Sequence, residues 1–186
     1  VPALLLGKPL GDILGVYLGQ TQEGAGALNY NSPSLFGFFP YGAQLDEGFW
    51  APVGIGLAFT LVLAVLLALL VCRRRVSDAA LLSAGAVLAI GVPFLLPYMH
   101  DRYLYLADVL TLAWAFALPR RAPVPVLVQL ASCSAYLTYF RQKFTLILPL
   151  GGRLYTMLPE ALLALTALAW AGWALGEELR AERGRT

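Results

Sequence analysis

Histidine occurs once in this 186-residue chain, at position 100, and cysteine only twice, at Cys72 and Cys133. One histidine excludes His-rich zinc spacing, and two cysteines inside apolar runs read as small buried hydrophobes rather than a disulfide or metal pair. Charge is scarce too: Asp, Glu, Lys and Arg make up 13% of residues, against about 25% in soluble domains. The net charge is +2, and the basic residues stand in short clusters beside apolar stretches. No basic face of the kind that binds nucleic acid results. Gly151-Gly152-Arg153 lacks the preceding strand and the following Lys and Ser or Thr of a phosphate loop, so it reads as a turn. No Ser-His-Asp order is present, and no motif requires a cofactor. A divalent metal is neither required nor excluded by any spacing.

The opening also lacks a charged-then-apolar leader. Val1 to Leu6 reads as the tail of an apolar helix, from which upstream sequence is expected, a processed amino terminus being the alternative.

What the chain has in abundance is apolar surface, with 59% hydrophobic residues. A water-soluble fold of this length could not cover it, so an all-α, polytopic transmembrane bundle is expected. The run at residues 52–72 is uninterrupted for about 20 residues, enough at 1.5 Å per residue to cross a roughly 30 Å hydrocarbon layer. Arg73, Arg74 and Arg75 stop it. Ser77 and Asp78 suit the cap of a second span at 79–96, which contains Pro93 and closes at Pro97. Three more follow at 104–118, 124–140 and 158–175, each bounded by Pro, Arg or Gly. The third is short for a bilayer, so its helix should start among the polar residues before it, shielded by protein. Residues 1–18 form a truncated or interfacial helical segment, 19–51 an external loop, 52–176 the bundle and 177–186 a solvated cytoplasmic tail.

Short cytoplasmic loops retain Lys and Arg. Placing Arg73 to Arg75, Arg120, Arg121 and the tail Arg180, Arg183 and Arg185 inside leaves Arg102, Arg141, Lys143 and Arg153 outside. The alternation through five spans is self-consistent, and it puts the Tyr98–Tyr105 and Arg141–Tyr155 turns on the outer face with the long loop. That loop carries Gln20, Thr21, Gln22, Glu23, Asn29, Asn31, Asp46 and Glu47 among Gly, Pro, Phe and Tyr. It is too apolar for a floppy linker, and its aromatics favour packing against a membrane surface or a bound lipid.

Candidate chemistry gathers in Leu96-Pro97-Tyr98-Met99-His100-Asp101-Arg102-Tyr103-Leu104-Tyr105-Leu106-Ala107-Asp108. A helix starting near Met99 would put Asp101, Tyr105 and Asp108 on one face, with Thr111 at its edge. An acid as deep as Asp108 costs about 2.5–3.5 kcal/mol in lipid, so it must face the bundle. The plain reading pairs Asp101 with Arg102 at the interface and lets His100 cap the helix. The intramembrane acid nearby favours function instead, since such groups are functional by default. The fourth span adds a stripe of Gln129, Ser132, Tyr136, Tyr139 and Lys143, within about 80° at 100° per residue. Such stripes commonly glue membrane helices together, and Arg141 and Lys143 suit interfacial snorkelling. Ending in two cations beside His100 and Arg102, the stripe would also suit an anionic headgroup.

The run from Leu96 to Leu110 resembles the Met-His-Glu-Arg-Tyr motif of bacterial multi-pass glycosyltransferases of the GT-C class, relatives of the GPI-anchor mannosyltransferase II and the protein O-mannosyltransferases. Tyr17-Leu18-Gly19-Gln20-Thr21 and Leu28-Asn29-Tyr30-Asn31-Ser32-Pro33-Ser34-Leu35 resemble the external loop of that class, where Asn-Ala-Pro-Asn is usual. The likeness runs from Leu10 to about Phe116. Asp101 stands where the family usually has Glu, one methylene longer. The catalytic acid of the class lies in a first external loop, and nothing in this chain matches it.

The resemblance implies the carboxy-terminal half of an enzyme in the cell membrane. It would move a hexose, mannose foremost, from a polyprenyl-phosphate carrier to a hydroxyl on an external acceptor, with inversion. An upstream Asp would be the general base, leaving the isolated chain inactive. His100 and Arg102, with Arg141 and Lys143, would meet charge developing on the lipid phosphate. Asp101 would orient them, with Tyr105 beside it and Asp108 holding the helix entrance in register. A transporter or flippase for a lipid-linked sugar is the competing reading, though no inverted repeat supports it. A non-catalytic membrane subunit is the third.

Overall fold

The computed structural model of the chain describes residues 27–71 and 76–183, together with Gly7, Pro9 and Gly11. The expected amino-terminal segment, the early loop residues Gln20 to Glu23, Cys72, the arginines 73–75 and Arg185 lie outside the described residues.

Among the described residues five α-helices carry the fold: α1 (Glu47–Val71), α2 (Asp78–Leu95), α3 (Tyr105–Ala117), α4 (Pro123–Arg141) and α5 (Leu158–Arg183). Four short strands accompany them: β1 (Asn29–Tyr30), β2 (Met99–His100), β3 (Leu148–Leu150) and β4 (Arg153–Tyr155). The helix starts follow local chemistry. Ser77 caps α2, its hydroxyl accepting from the Ala80 amide at 3.3 Å, and Pro123 opens α4 where no N–H partner is needed. At the other end of α4, Gln142 adopts a left-handed φ of 52°. That reverses the chain into the hairpin of β3 and β4. Gly151 and Gly152 make its turn at φ 58° and 75°, the mirror-image geometry two-residue hairpins require.

The helices pack through small residues. On α5, Ala161, Ala164, Ala167, Ala171 and Ala174 are buried at three- and four-residue spacing, and α2 answers with Ala80, Ser83, Ala84, Ala86, Val87 and Ile90. Two such stripes let backbones approach closely, which is the usual basis of association inside a membrane. Gly91 of α2 has no room for a Cβ, because Leu61 and Leu168 close over it. So α2 sits at the centre, touching α1, α3 and α5, while α4 bridges α3 and α5.

Among the described residues three helices are long and apolar enough to cross a membrane: Glu47–Val71, Asp78–Leu95 and Leu158–Ala181. Five were expected. The region expected at 104–118 yields a helix of only 13 residues, about 20 Å at 1.5 Å per residue. The helix at Pro123–Arg141 is 19 residues long, but Gln129, Ser132, Ser134, Tyr136 and Thr138 lower its apolar character. The bundle does not end at Gly176 as expected: α5 runs on to Arg183, with Leu179 buried. At its start the tail is tied back to the bundle, Glu177 and Glu178 being ion-paired to Arg121 at 2.6 and 3.0 Å, while Arg180 and Ala181 are exposed.

The long loop before α1 forms a small core of its own. Leu28, Phe36 and Ala51 are buried together with Phe39, Trp50 and Tyr98 packed around them, and Phe39 meets Trp50 edge-on at 4.9 Å between centroids. Most of its aromatics therefore pack against protein. Tyr41 and Phe49 remain exposed.

Candidate functional site

The site is built by two segments far apart in sequence. Strands β1 and β2 form a two-stranded parallel ladder, pairing Asn29 with Met99 and Tyr30 with His100. Beyond it, Asn31 makes an isolated bridge to His100. Local chemistry prepares the first strand: the Asn29 side chain accepts from the Ser32 amide at 2.8 Å and donates to the Ser32 carbonyl at 3.0 Å. Asn31 takes φ 57°, a left-handed position that asparagine tolerates well. Just before the second strand Tyr98, at φ 61°, donates its amide to the Leu28 carbonyl at 2.9 Å.

Tyr98 also ties the ladder to α1. Its hydroxyl donates to a Glu47 carboxylate oxygen at 2.5 Å, and this bond, together with burial and the nearby negative charge, pushes its pKa up to about 12.

His100 then lies against Tyr30, the rings stacked at 4.7 Å and 16°. Tyr30, Asn31, His100 and Asp101 share the wall of a cleft of about 370 Å³ with Thr138, Tyr139 and Lys143 at the end of α4. Of the residues singled out in the sequence, His100, Asp101 and Lys143 come together here. Arg102 and Arg141 are exposed and do not line the cleft. Asp101 makes no ion pair with Arg102 among the described residues, so the plain reading of that pair does not hold.

The expected shared face of Asp101, Tyr105 and Asp108 is corrected as well. Asp101 and Asp108 are buried, but Tyr105 is 67% exposed. Residues Asp101–Leu104 form a 3-10 turn rather than α-helix. At 3.0 residues per turn it adds about 20° per residue over an α-helix, rotating Tyr105 outward by about 80°.

Asp108 holds α3 to α4 and lies outside the cleft. Ser132 donates to its Oδ2 at 2.7 Å, and Gln129 donates to its backbone carbonyl at 3.2 Å. The polar stripe of α4 is thus divided by depth, with Gln129 and Ser132 fastening helices while Tyr139 and Lys143 reach the cleft.

Glu160 was not singled out in the sequence. It stands fully buried in the first turn of α5 and accepts a hydrogen bond from the Ser134 hydroxyl. An acid just inside a long apolar run is the signal that could have found it.

Beside the cleft lies a second hollow of about 510 Å³, walled by the long loop, the start of α1 and the chain around Thr156. Asn31 and Phe144 belong to both walls. Among the described residues, no group of three or more His, Cys, Asp and Glu could hold a metal ion. No protein-family model matches the chain, and no curated protein or solved structure is significantly similar to it.

Proposed function

We propose that this chain is the carboxy-terminal part of a multi-pass membrane glycosyltransferase that moves a hexose, mannose foremost, from a polyprenyl-phosphate carrier to an external hydroxyl. One observation supports this reading above the others. The two segments that resemble the GT-C pattern, around Asn29–Ser32 and Met99–Asp101, are laddered together and wall one cleft with Lys143.

In this reading α3 and α4 complete a five-span bundle, with the cleft outside and the carboxy terminus in the cytoplasm. The cleft lies at the start of α3 and the end of α4, whereas Arg120, Arg121, Glu177 and Glu178 meet at the opposite ends of those helices. That separation agrees with arginine retention on the cytoplasmic side.

The acceptor oxygen attacks the anomeric carbon from the face opposite the lipid phosphate. The carbon–oxygen bond to the phosphate breaks, the phosphate keeps the electron pair, and the hydroxyl proton passes to a carboxylate base from an upstream loop. His100 and Lys143 are the groups placed to meet the charge growing on the phosphate. Asp101 faces the same space, without an ion pair to either cation among the described residues.

The test is transfer of label from a radiolabelled polyprenyl-phosphate hexose to external acceptor, by the full-length parent protein in vesicles. His100→Ala should cut turnover on the order of 100-fold with membrane insertion unchanged. Label that crosses the membrane without being transferred would establish a flippase instead, and a wild-type rate in the variant would remove the role of His100.

A further inference from the structure

The second hollow differs in chemistry from the cleft it adjoins. His100 and Lys143 face the cleft, but among the described residues no Lys, Arg or His lines the neighbouring hollow, and the one charged residue of its described wall is Glu47. Amides and aromatic rings take their place. Neither Asn31 nor Gln44 makes a side-chain hydrogen bond to protein among the described residues, so both amides are available to a ligand. Tyr41 is 67% exposed and meets Phe144 edge-on at 5.5 Å, presenting a ring beside those amides. Backbone bonds hold the arrangement: the Tyr41 amide donates to the Leu154 carbonyl at 2.7 Å, fixing the loop on the β3–β4 hairpin.

The geometry points to a binding site for a neutral saccharide in this hollow. Hydroxyl groups match free amides and a carboxylate acceptor, and the apolar C–H face of a pyranose matches an exposed aromatic ring. A sugar acid or phosphosugar would meet Glu47 with no cation among the described wall residues to offset the repulsion. A volume of about 510 Å³ lies within the range of small-ligand sites. Because Asn31 and Phe144 wall both spaces, a saccharide here brings its hydroxyls to the edge of the cleft. Naming it the acceptor rests on the transferase reading; its binding does not.

The experiment is saturation-transfer NMR and calorimetry on the full chain in lipid nanodiscs. Probes are a neutral mannotriose, a uronic-acid trisaccharide and, separately, polyprenyl phosphate. Mannotriose should bind, the uronic-acid trisaccharide should bind at least about tenfold more weakly, and Tyr41→Ala and Gln44→Ala should each weaken mannotriose about fivefold. Both substituted side chains are exposed, so folding is spared, and circular dichroism checks it. Equal binding of the two trisaccharides, or indifference to both substitutions, overturns the site. So does an absence of saccharide binding, and paramagnetic lipids that broaden the Tyr41 signals would then assign the hollow to the membrane surface. Polyprenyl phosphate binding retained while saccharide binding fails rejects this site alone; the reverse rejects the donor cleft alone.

Discussion

The imidazole of His100 lies flat on the ring of Tyr30, 4.7 Å away and tilted by 16°. Stacked rings of this kind contribute about 0.5–1.5 kcal/mol beyond the area they bury. Tyr30→Ala should therefore lower the unfolding temperature in detergent by a few degrees and accelerate amide exchange at Met99 and His100. Unchanged exchange in Tyr30→Ala would mean that the ladder alone holds His100.

Cleft membership ranks the cations. Lys143 lines the cleft, but Arg102 and Arg141 do not. On the proposed transferase reading, Lys143→Ala should weaken polyprenyl phosphate binding about tenfold, with Arg102→Ala and Arg141→Ala within about twofold of wild type. Equal losses in all three would show that the donor is held by diffuse surface charge.

The Tyr98 hydroxyl has its pKa raised from the ordinary 10.0 to about 12, chiefly because it donates to Glu47. A group raised in the folded state contributes stability that is fully present below pH 10 and is lost as pH climbs through 12. Absorbance at 295 nm should show a late tyrosine titration, and Tyr98→Phe should reduce its amplitude by one tyrosine. If the late amplitude is the same in both proteins, the bond to Glu47 does not persist in solution.

Arg121 is buried, 2% exposed, between Glu177 and Glu178, with its guanidinium 5.4 Å from the Trp173 ring centroid. Arg121→Ala leaves Glu177 without its ion-pair partner and Glu178 with Arg120 alone, and should lower the unfolding temperature by about 5–10 °C. Arg121→Lys should recover less than half of that, because an ammonium lacks the flat guanidinium face that lies over Trp173. Thermal melts in detergent decide it, and a Lys variant as stable as wild type would show that charge alone matters.

Ser132 supplies the hydrogen bond at 2.7 Å to buried Asp108. Ser132→Ala should destabilise the chain by about 1–3 kcal/mol, the cost of an unsatisfied buried acceptor. Chemical denaturation measures it, and a change below about 0.5 kcal/mol would mean Asp108 finds another partner.

Apolar runs and their punctuation settled much of this protein from the sequence. Ser77, Pro97 and Pro123 bound helices because caps and missing N–H groups act within a few residues, and Gly151-Gly152 made a turn for the same local reason. The depth of Asp108 followed from the cost of an acid in lipid. Tertiary structure decided what local rules could not reach. Only the ladder between Asn29–Tyr30 and Met99–His100 brought the loop onto the helix entrance, since strand pairing across such a separation leaves no periodic trace. The 3-10 turn at Asp101–Leu104 rotated Tyr105 out of the face that an unbroken helix would have given it. Gln142, in a left-handed conformation, marks the point where the chain passes from Arg141, off the cleft, to Lys143, on its wall with His100. Side chains one or two positions apart thus part company at a single backbone turn, which composition and hydropathy do not register.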